Sequence, residues 1–204
     1  MASVGSVSAC LGMDESPAQP ASGRSAFAPP TYSQDAWYDE VPGKHRICFD
    51  TWTAAKFDEA LGFAGNYLRA SHDGYGLEAK DVALVIVVRH KTAPFAFDDG
   101  IWAKYGKHFS ARMAFVDPKT NAAPEVNVHG KTLGGLIAQG AHLAVCNLTT
   151  KAYTKIIADA TGQTEDAVYA ELTSHTLGHA HFAPAGIVAA ARAQEHGYAI
   201  ISIG

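Results

Sequence analysis

Apolar runs and helix-like periodic segments alternate along most of the chain. Val82 to Val88 is an unbroken, β-branched apolar run, which is typical of a strand buried on both faces of a parallel sheet. Shorter apolar runs bounded by Gly, Pro or polar residues have the same character. The pattern predicts five strands, at residues 45–50, 82–88, 141–146, 179–183 and 198–203.

Helical periodicity fills most of the spaces between these strands. In the first such segment, apolar side chains at Phe57, Leu61, Ala64 and Leu68 share one helical face. Thr164 is a suitable N-cap, because acidic residues follow it in the first turn. Helices are predicted at 54–70, 99–107, 131–139, 151–160, 164–173 and 186–196. The alternation predicts an α/β sandwich with a mainly parallel five-stranded sheet.

Two segments do not fit the alternation. Residues 1–36 are rich in Ser, Ala, Pro and Gly, and this composition predicts a disordered tail or linker. Residues 91–130 contain several prolines and are predicted to be an insertion above the sheet. The α/β domain itself is predicted to span residues 44–204.

Composition narrows the function classes. The chain has 204 residues and a formal net charge of -4, which argues against nucleic-acid binding. No apolar run is long enough to predict a transmembrane segment. The 3 cysteines exclude a fully paired disulfide framework. Histidine, with 10 residues, is the one residue type whose number is unusual.

The compartment is left open by the sequence. Val7-Ser8-Ala9-Cys10 resembles a lipoprotein cleavage box, and together with the low-complexity tail it favours a periplasmic or exported protein. Unpaired thiols fit a reducing cytoplasm instead.

Candidate chemistry lies at the predicted strand ends, because ligands of open parallel sheets bind outside the carboxyl ends of the strands. Cys146 is the sharpest candidate, since a thiol between a strand end and a helix N-terminus is favoured as the nucleophilic thiolate. The alternative is a small buried apolar residue that completes the strand. The other residues at these ends are Asp50 and Thr51, Arg89 and His90, and Asn147.

A second candidate is the run of histidines at His175, His179 and His181. Three imidazoles at this spacing are a candidate site for zinc, copper or a haem iron. The alternative is a set of polar residues on a loop and at the start of a strand. No other cofactor is indicated, because the dinucleotide fingerprint, the phosphate-binding loop and the C-x-x-C motif are all missing from the sequence.

The predicted insertion contains a compact aromatic cluster around Trp102 and Tyr105. These side chains either line a ligand pocket as an aromatic lid or pack on the sheet as part of a helical turn.

Four stretches of the chain are similar to the DsrE/DsrF-like family of small α/β proteins. They are His45–Asp50, Val82–Val88, His142–Cys146 with Asn147, and the ending formed by residues 183–188 and 194–198. The segment Phe95–Tyr105 resembles a longer branch of the family whose members often carry an export signal. The resemblance covers about residues 44–204, apart from 107–128.

The resemblance implies a three-layer flavodoxin-like fold, homo-oligomers and a thiol-based sulfur (persulfide) carrier or transferase. Cys146 matches the family's persulfide-carrying cysteine, with His90 or Arg89 placed to stabilise the anion and a sulfur-relay protein as partner. The sequence departs from the family pattern after this cysteine, where Asn147-Leu148-Thr149-Thr150 replaces a glycine-containing or basic context. Two alternatives remain: a metal- or haem-binding protein, and a non-catalytic oligomer that binds a small ligand.

Overall fold

The computed structural model describes residues 29–204 of the chain. Five strands form one sheet: β1 (His45–Thr51), β2 (Val82–Val88), β3 (His142–Cys146), β4 (Ala180–Ala183) and β5 (Ala199–Ile203). The α-helices are α1 (Trp37–Glu40), α2 (Phe57–Tyr75), α3 (Asp99–Met113), α4 (Gly130–Ile137), α5 (Asn147–Thr161), α6 (Glu165–Ser174) and α7 (Gly186–Glu195).

All strand pairs of the sheet are parallel, and the strand order is β4-β3-β2-β1-β5. The fully buried β2 lies at the centre, as its unbroken apolar sequence predicts. Because the strands are parallel, their carboxyl ends meet at one edge of the sheet. We call this edge the carboxyl edge.

Helices cover both faces of the sheet. One face packs against α2 to α6 through large apolar side chains such as Phe57, Trp102 and Ile157. The other face packs against α7 and the Tyr38–Val41 segment. Helix α7 presents only alanines to the sheet, so its backbone approaches the strands closely. The predicted three-layer flavodoxin-like sandwich with a parallel five-stranded sheet is confirmed.

Two helix boundaries differ from the predicted ones in ways that matter for the site. Helix α3 continues to Met113 because its buried face continues through Phe109. Helix α5 begins at Asn147, directly after β3, instead of at residue 151. Its first turn has weak helix propensity, so only tertiary structure reveals it. The predicted N-cap at Thr164 is confirmed, since its hydroxyl accepts the amide hydrogen of Ala167 at 3.3 Å.

The structure describes only the end of the predicted tail, residues 29–36, but all of the predicted insertion. Residues 1–28 of the tail, with the cleavage-box sequence, lie outside the described part of the chain. Further along, Asp35 is buried and accepts a hydrogen bond from Arg192 of α7 at 2.9 Å. The segment 91–130 contains α3, which lies on the same face as α5. Among residues 29–204, no helix combines the length and the apolarity needed to cross a membrane.

Candidate functional site

Cys146 lies at the carboxyl edge, as the last residue of β3 and the N-cap of α5. Its exposed fraction is 5%, so the residue is buried at this edge. The hydroxyl of Thr149 donates a hydrogen bond to Cys146 Sγ at 3.2 Å. The sulfur therefore lies at a helix N-terminus with one hydroxyl donor directed at it.

Arg89 follows β2 at the same edge and forms a bidentate ion pair with Asp50 of β1. The Nε···Oδ1 and Nη2···Oδ2 distances are 2.7 and 2.9 Å, and the carboxylate is almost fully buried. The guanidinium also lies 4.9 Å from the ring centroid of Trp52. The hydrogen bonds with Asp50 raise the pKa of Arg89, and negative charge on Cys146 acts in the same direction. Arg89 is therefore a fixed positive charge within electrostatic reach of the Cys146 sulfur.

His90 is the exposed neighbour of Arg89 and has a φ of 52°, which is unusual for a residue with a side chain. Its backbone N–H donates to Thr149 Oγ1 at 3.3 Å. Thr149 therefore connects the backbone after β2 with the sulfur at the end of β3. Sparsely populated backbone conformations persist where the surrounding structure enforces them, often at functional sites.

The rim of the carboxyl edge is apolar beside Cys146. Leu148, in the first turn of α5, is 64% exposed, and Ile187, in the first turn of α7, is 63% exposed. The Leu148 N–H donates to the carbonyl of Pro184, which holds the starts of the two helices next to each other. We call Leu148 and Ile187 the apolar rim.

Gly186 is required by the close approach of α7 to Arg89. A Cβ at this position would lie 2.2 Å from Arg89 Cβ, a distance that real Cβ atoms do not show. The first residue of α7 therefore packs against the aliphatic part of the Arg89 side chain. The guanidinium of the same side chain pairs with Asp50.

We therefore expect Gly186→Ala to destabilise the protein by about 1–3 kcal/mol, because it overpacks this contact. The matched control is Gly62→Ala in α2, where a Cβ would meet nothing within 4 Å. That change should stabilise the protein by about 0.5–1 kcal/mol through helix propensity. Urea unfolding of both variants measures the difference, and equal stability of the two would contradict the close packing of Gly186.

The other residues predicted at this site form hydrogen bonds that connect parts of the fold. Asn147 accepts a hydrogen bond from the Tyr169 hydroxyl at 2.8 Å, which ties α5 to α6. Thr51 is buried and donates to the carbonyl of Val87 at 2.7 Å. Trp102 has an exposed fraction of 0%, and its indole N–H donates to the Pro94 carbonyl. Tyr105 is buried, and its hydroxyl donates a hydrogen bond to the Glu171 carboxylate. The two aromatic side chains pack in the core, as the alternative interpretation of this cluster predicts.

The structure separates the three predicted metal-ligating histidines. His175 pairs with Asp98 at the start of α3, with Nδ1 and Oδ2 3.1 Å apart. His181 instead meets His142, whose Nδ1 lies 3.0 Å from His181 Nε2. The His179 ring lies beside the His142 ring, with centroids 4.6 Å apart. Within residues 29–204, no group of three or more His, Cys, Asp or Glu side chains is placed so that it could hold a metal ion.

Sequence reasoning missed the roles of Thr149, Trp52, Gly186 and His142. Thr149 carries a local signal, because a hydroxyl in the first turn of a helix reaches back to the N-cap residue. Trp52, after β1, and Gly186, in α7, contact Arg89, which follows β2. His142 of β3 meets His181 of the adjacent strand β4. These contacts depend on strand order and register, which local patterns do not carry.

Comparison with known proteins identifies neither a family nor a function for this chain. No family model matches the chain, and no curated protein matches it. The resemblance to the DsrE/DsrF-like family therefore stays a prediction from the sequence.

Proposed function

We propose that the protein is a thiol-based sulfur carrier in which Cys146 takes a sulfane sulfur from a persulfide donor and passes it to an acceptor thiol. The observation that supports this most is the setting of the Cys146 sulfur. It lies at the carboxyl edge, accepts a hydrogen bond from Thr149 and shares that edge with the Arg89–Asp50 ion pair.

The proposed reaction is a pair of thiol exchanges. The Cys146 thiolate attacks the outer sulfur of a donor R–S–SH and forms a new S–S bond. The donor's own S–S bond breaks, and the donor leaves as R–S⁻ with the bonding electron pair, while the outer sulfur keeps its proton. An acceptor thiolate then attacks the same outer sulfur and releases the Cys146 thiolate. Neither exchange needs an external oxidant or reductant.

Each neighbouring residue has a role in this scheme. The Thr149 hydroxyl and the start of α5 stabilise the thiolate before attack and when it is released. Arg89, positioned by Asp50, lowers the electrostatic cost of the anionic sulfur. His90 stands exposed at the rim, where its imidazole is accessible to the incoming donor.

The apolar rim supports a protein as the exchange partner. Leu148 and Ile187 are exposed in the first turns of α5 and α7, and Cys146 is the N-cap of α5, so a partner that covers this rim would exclude water from the exchange. We extend the proposal to a sulfur-relay protein as donor or acceptor and to homo-oligomers of this chain. Light scattering during size-exclusion chromatography tests the oligomer, and a purely monomeric sample would contradict it.

Sulfur uptake tests the proposed function directly. The purified chain is incubated with glutathione persulfide, and its intact mass should increase by one sulfur atom. Alkylation and peptide mapping should then place that sulfur on Cys146. Uptake on Cys48 or Cys10 only, or no uptake at all, would overturn the proposal.

Removing the hydroxyl that faces the sulfur should slow the exchange. Thr149→Val deletes a hydrogen bond to the anionic form, and such bonds contribute about 1.5–3 kcal/mol. The low end of this range applies to a site at the solvent rim, so we expect sulfur uptake to slow by about tenfold. Thr173→Val is the control, because its hydroxyl bonds to the carbonyl of Tyr169 in α6. Equal uptake rates for the two variants would remove Thr149 from the scheme.

A further inference from the structure

A short turn after β2 positions the backbone that lies nearest the Cys146 site. The N–H of Thr92 donates to the carbonyl of Arg89 at 3.0 Å, and the Thr92 hydroxyl accepts the N–H of Arg89 at 3.0 Å. These two hydrogen bonds close the turn from Arg89 to Thr92. His90 lies inside this turn, where it has its positive φ of 52°.

Thr92 also fixes the turn to the neighbouring strand. Its exposed fraction is 0%, and its hydroxyl oxygen lies 3.0 Å from both the hydroxyl oxygen and the carbonyl oxygen of Thr51, the last residue of β1. Thr51 itself donates to the carbonyl of Val87 in β2 at 2.7 Å. The two buried hydroxyls therefore join the carboxyl ends of β1 and β2.

The turn reaches the sulfur through one further hydroxyl. The His90 N–H donates to Thr149 Oγ1 at 3.3 Å, and the Thr149 hydroxyl donates to Cys146 Sγ at 3.2 Å. A hydroxyl carries one hydrogen, so an N–H donor to the oxygen leaves that hydrogen free to point at the sulfur. Because an unusual backbone conformation persists only where its surroundings enforce it, the direction of the Thr149 hydroxyl depends on the turn.

We propose that Thr92 is a positioning residue for sulfur exchange at Cys146. Its hydroxyl holds the His90 N–H on Thr149, and Thr149 presents its hydrogen to the sulfur. This role rests on the proposed function and gives the backbone of His90 a part in it. Thr92 is fully buried and does not meet the donor, so its effect on the exchange passes through Thr149.

A double-variant cycle separates this role from a purely structural one. Thr92→Val removes the hydroxyl and keeps the side-chain shape. It should slow sulfur uptake from glutathione persulfide by about threefold to tenfold, up to the loss expected of Thr149→Val. Thr149→Val already removes the affected hydroxyl, so adding Thr92→Val to it should change the rate by less than about twofold. Thr92→Ser keeps the hydroxyl and should restore the wild-type rate.

Thr154→Val is the matched control for the loss of a buried threonine hydroxyl. Thr154 lies in α5 and is 3% exposed, and its hydroxyl has no hydrogen-bond partner among residues 29–204. This change should leave the uptake rate unaltered. Circular dichroism checks that each variant is folded, and if Thr92→Val is misfolded, Thr92→Ala compared with Thr92→Ser decides.

Alkylation of Cys146 by iodoacetamide repeats the cycle without a sulfur donor, with mass spectrometry as the readout. The same pattern of rates there, without sulfur uptake by the wild-type chain, would overturn the proposed function and keep the role of Thr92 in positioning Thr149 against the sulfur. Three results would overturn that role. They are an unchanged rate for Thr92→Val, losses that multiply in the double variant, and a Thr92→Ser variant as slow as Thr92→Val.

Discussion

Replacing Arg89 with methionine should lower the free energy of unfolding by about 3 kcal/mol. The change keeps much of the packing volume and removes the charge that faces Asp50, whose side chain is only 5% exposed. Breaking a buried ion pair from one side costs about 3–5 kcal/mol because an uncompensated charge remains. Arg89 itself is 22% exposed, so the lower end of this range applies.

A double variant and a surface control make this measurement specific. Asp50→Asn combined with Arg89→Met should recover part of the loss, since no buried charge is left unpaired. Lys155→Met breaks the exposed pair with Asp159 and should change stability by no more than about 0.5 kcal/mol. Urea unfolding gives all three values. A loss below about 1 kcal/mol for Arg89→Met would show that the pair does not hold the carboxyl edge together.

Cys146→Ala should abolish sulfur transfer from a persulfide donor to an acceptor thiol. Without the sulfur at the end of β3, the rate should fall to that of donor and acceptor mixed alone. Alanine keeps the strand geometry, so the variant should remain folded.

Cys48→Ala is the matched control for this loss. Cys48 lies within β1 with an exposed fraction of 0%, and burial raises the pKa of its thiol. It is therefore protonated and inaccessible, and its removal should leave transfer unchanged at a cost in stability of about 1 kcal/mol. Transfer that survives in Cys146→Ala, or that is lost in Cys48→Ala, would assign the chemistry to another residue.

The fold follows from patterns that are local in the sequence. Each predicted strand is present, and the longest apolar run, Val82–Val88, forms the fully buried central strand β2. The position of Cys146 at a strand end follows from the same pattern. Helix ends are less predictable from the sequence. Residues Asn147 to Thr150 have weak helix propensity, yet they form the first turn of α5 directly after β3.

The site contacts are predictable only in part, because they are made across strands. The partners Asp50 and Arg89 were placed at the same edge by the sequence, but their bidentate geometry depends on the pairing of β1 with β2. The meeting of His142 with His181 depends on the register of β3 with β4. Spacing along the chain predicts that His175 is a neighbour of His179 and His181. In the structure, His142 lies beside these two residues, and His175 pairs with Asp98.

The most direct test of the central proposal follows one sulfur atom through Cys146. The protein is loaded from a persulfide donor that carries a heavy sulfur isotope, the donor is removed, and an acceptor thiol is added. We predict that the heavy sulfur appears in the acceptor persulfide while Cys146 returns to the free thiol. Heavy sulfur that stays on Cys146, or that leaves without reaching the acceptor, would contradict a role in sulfur transfer.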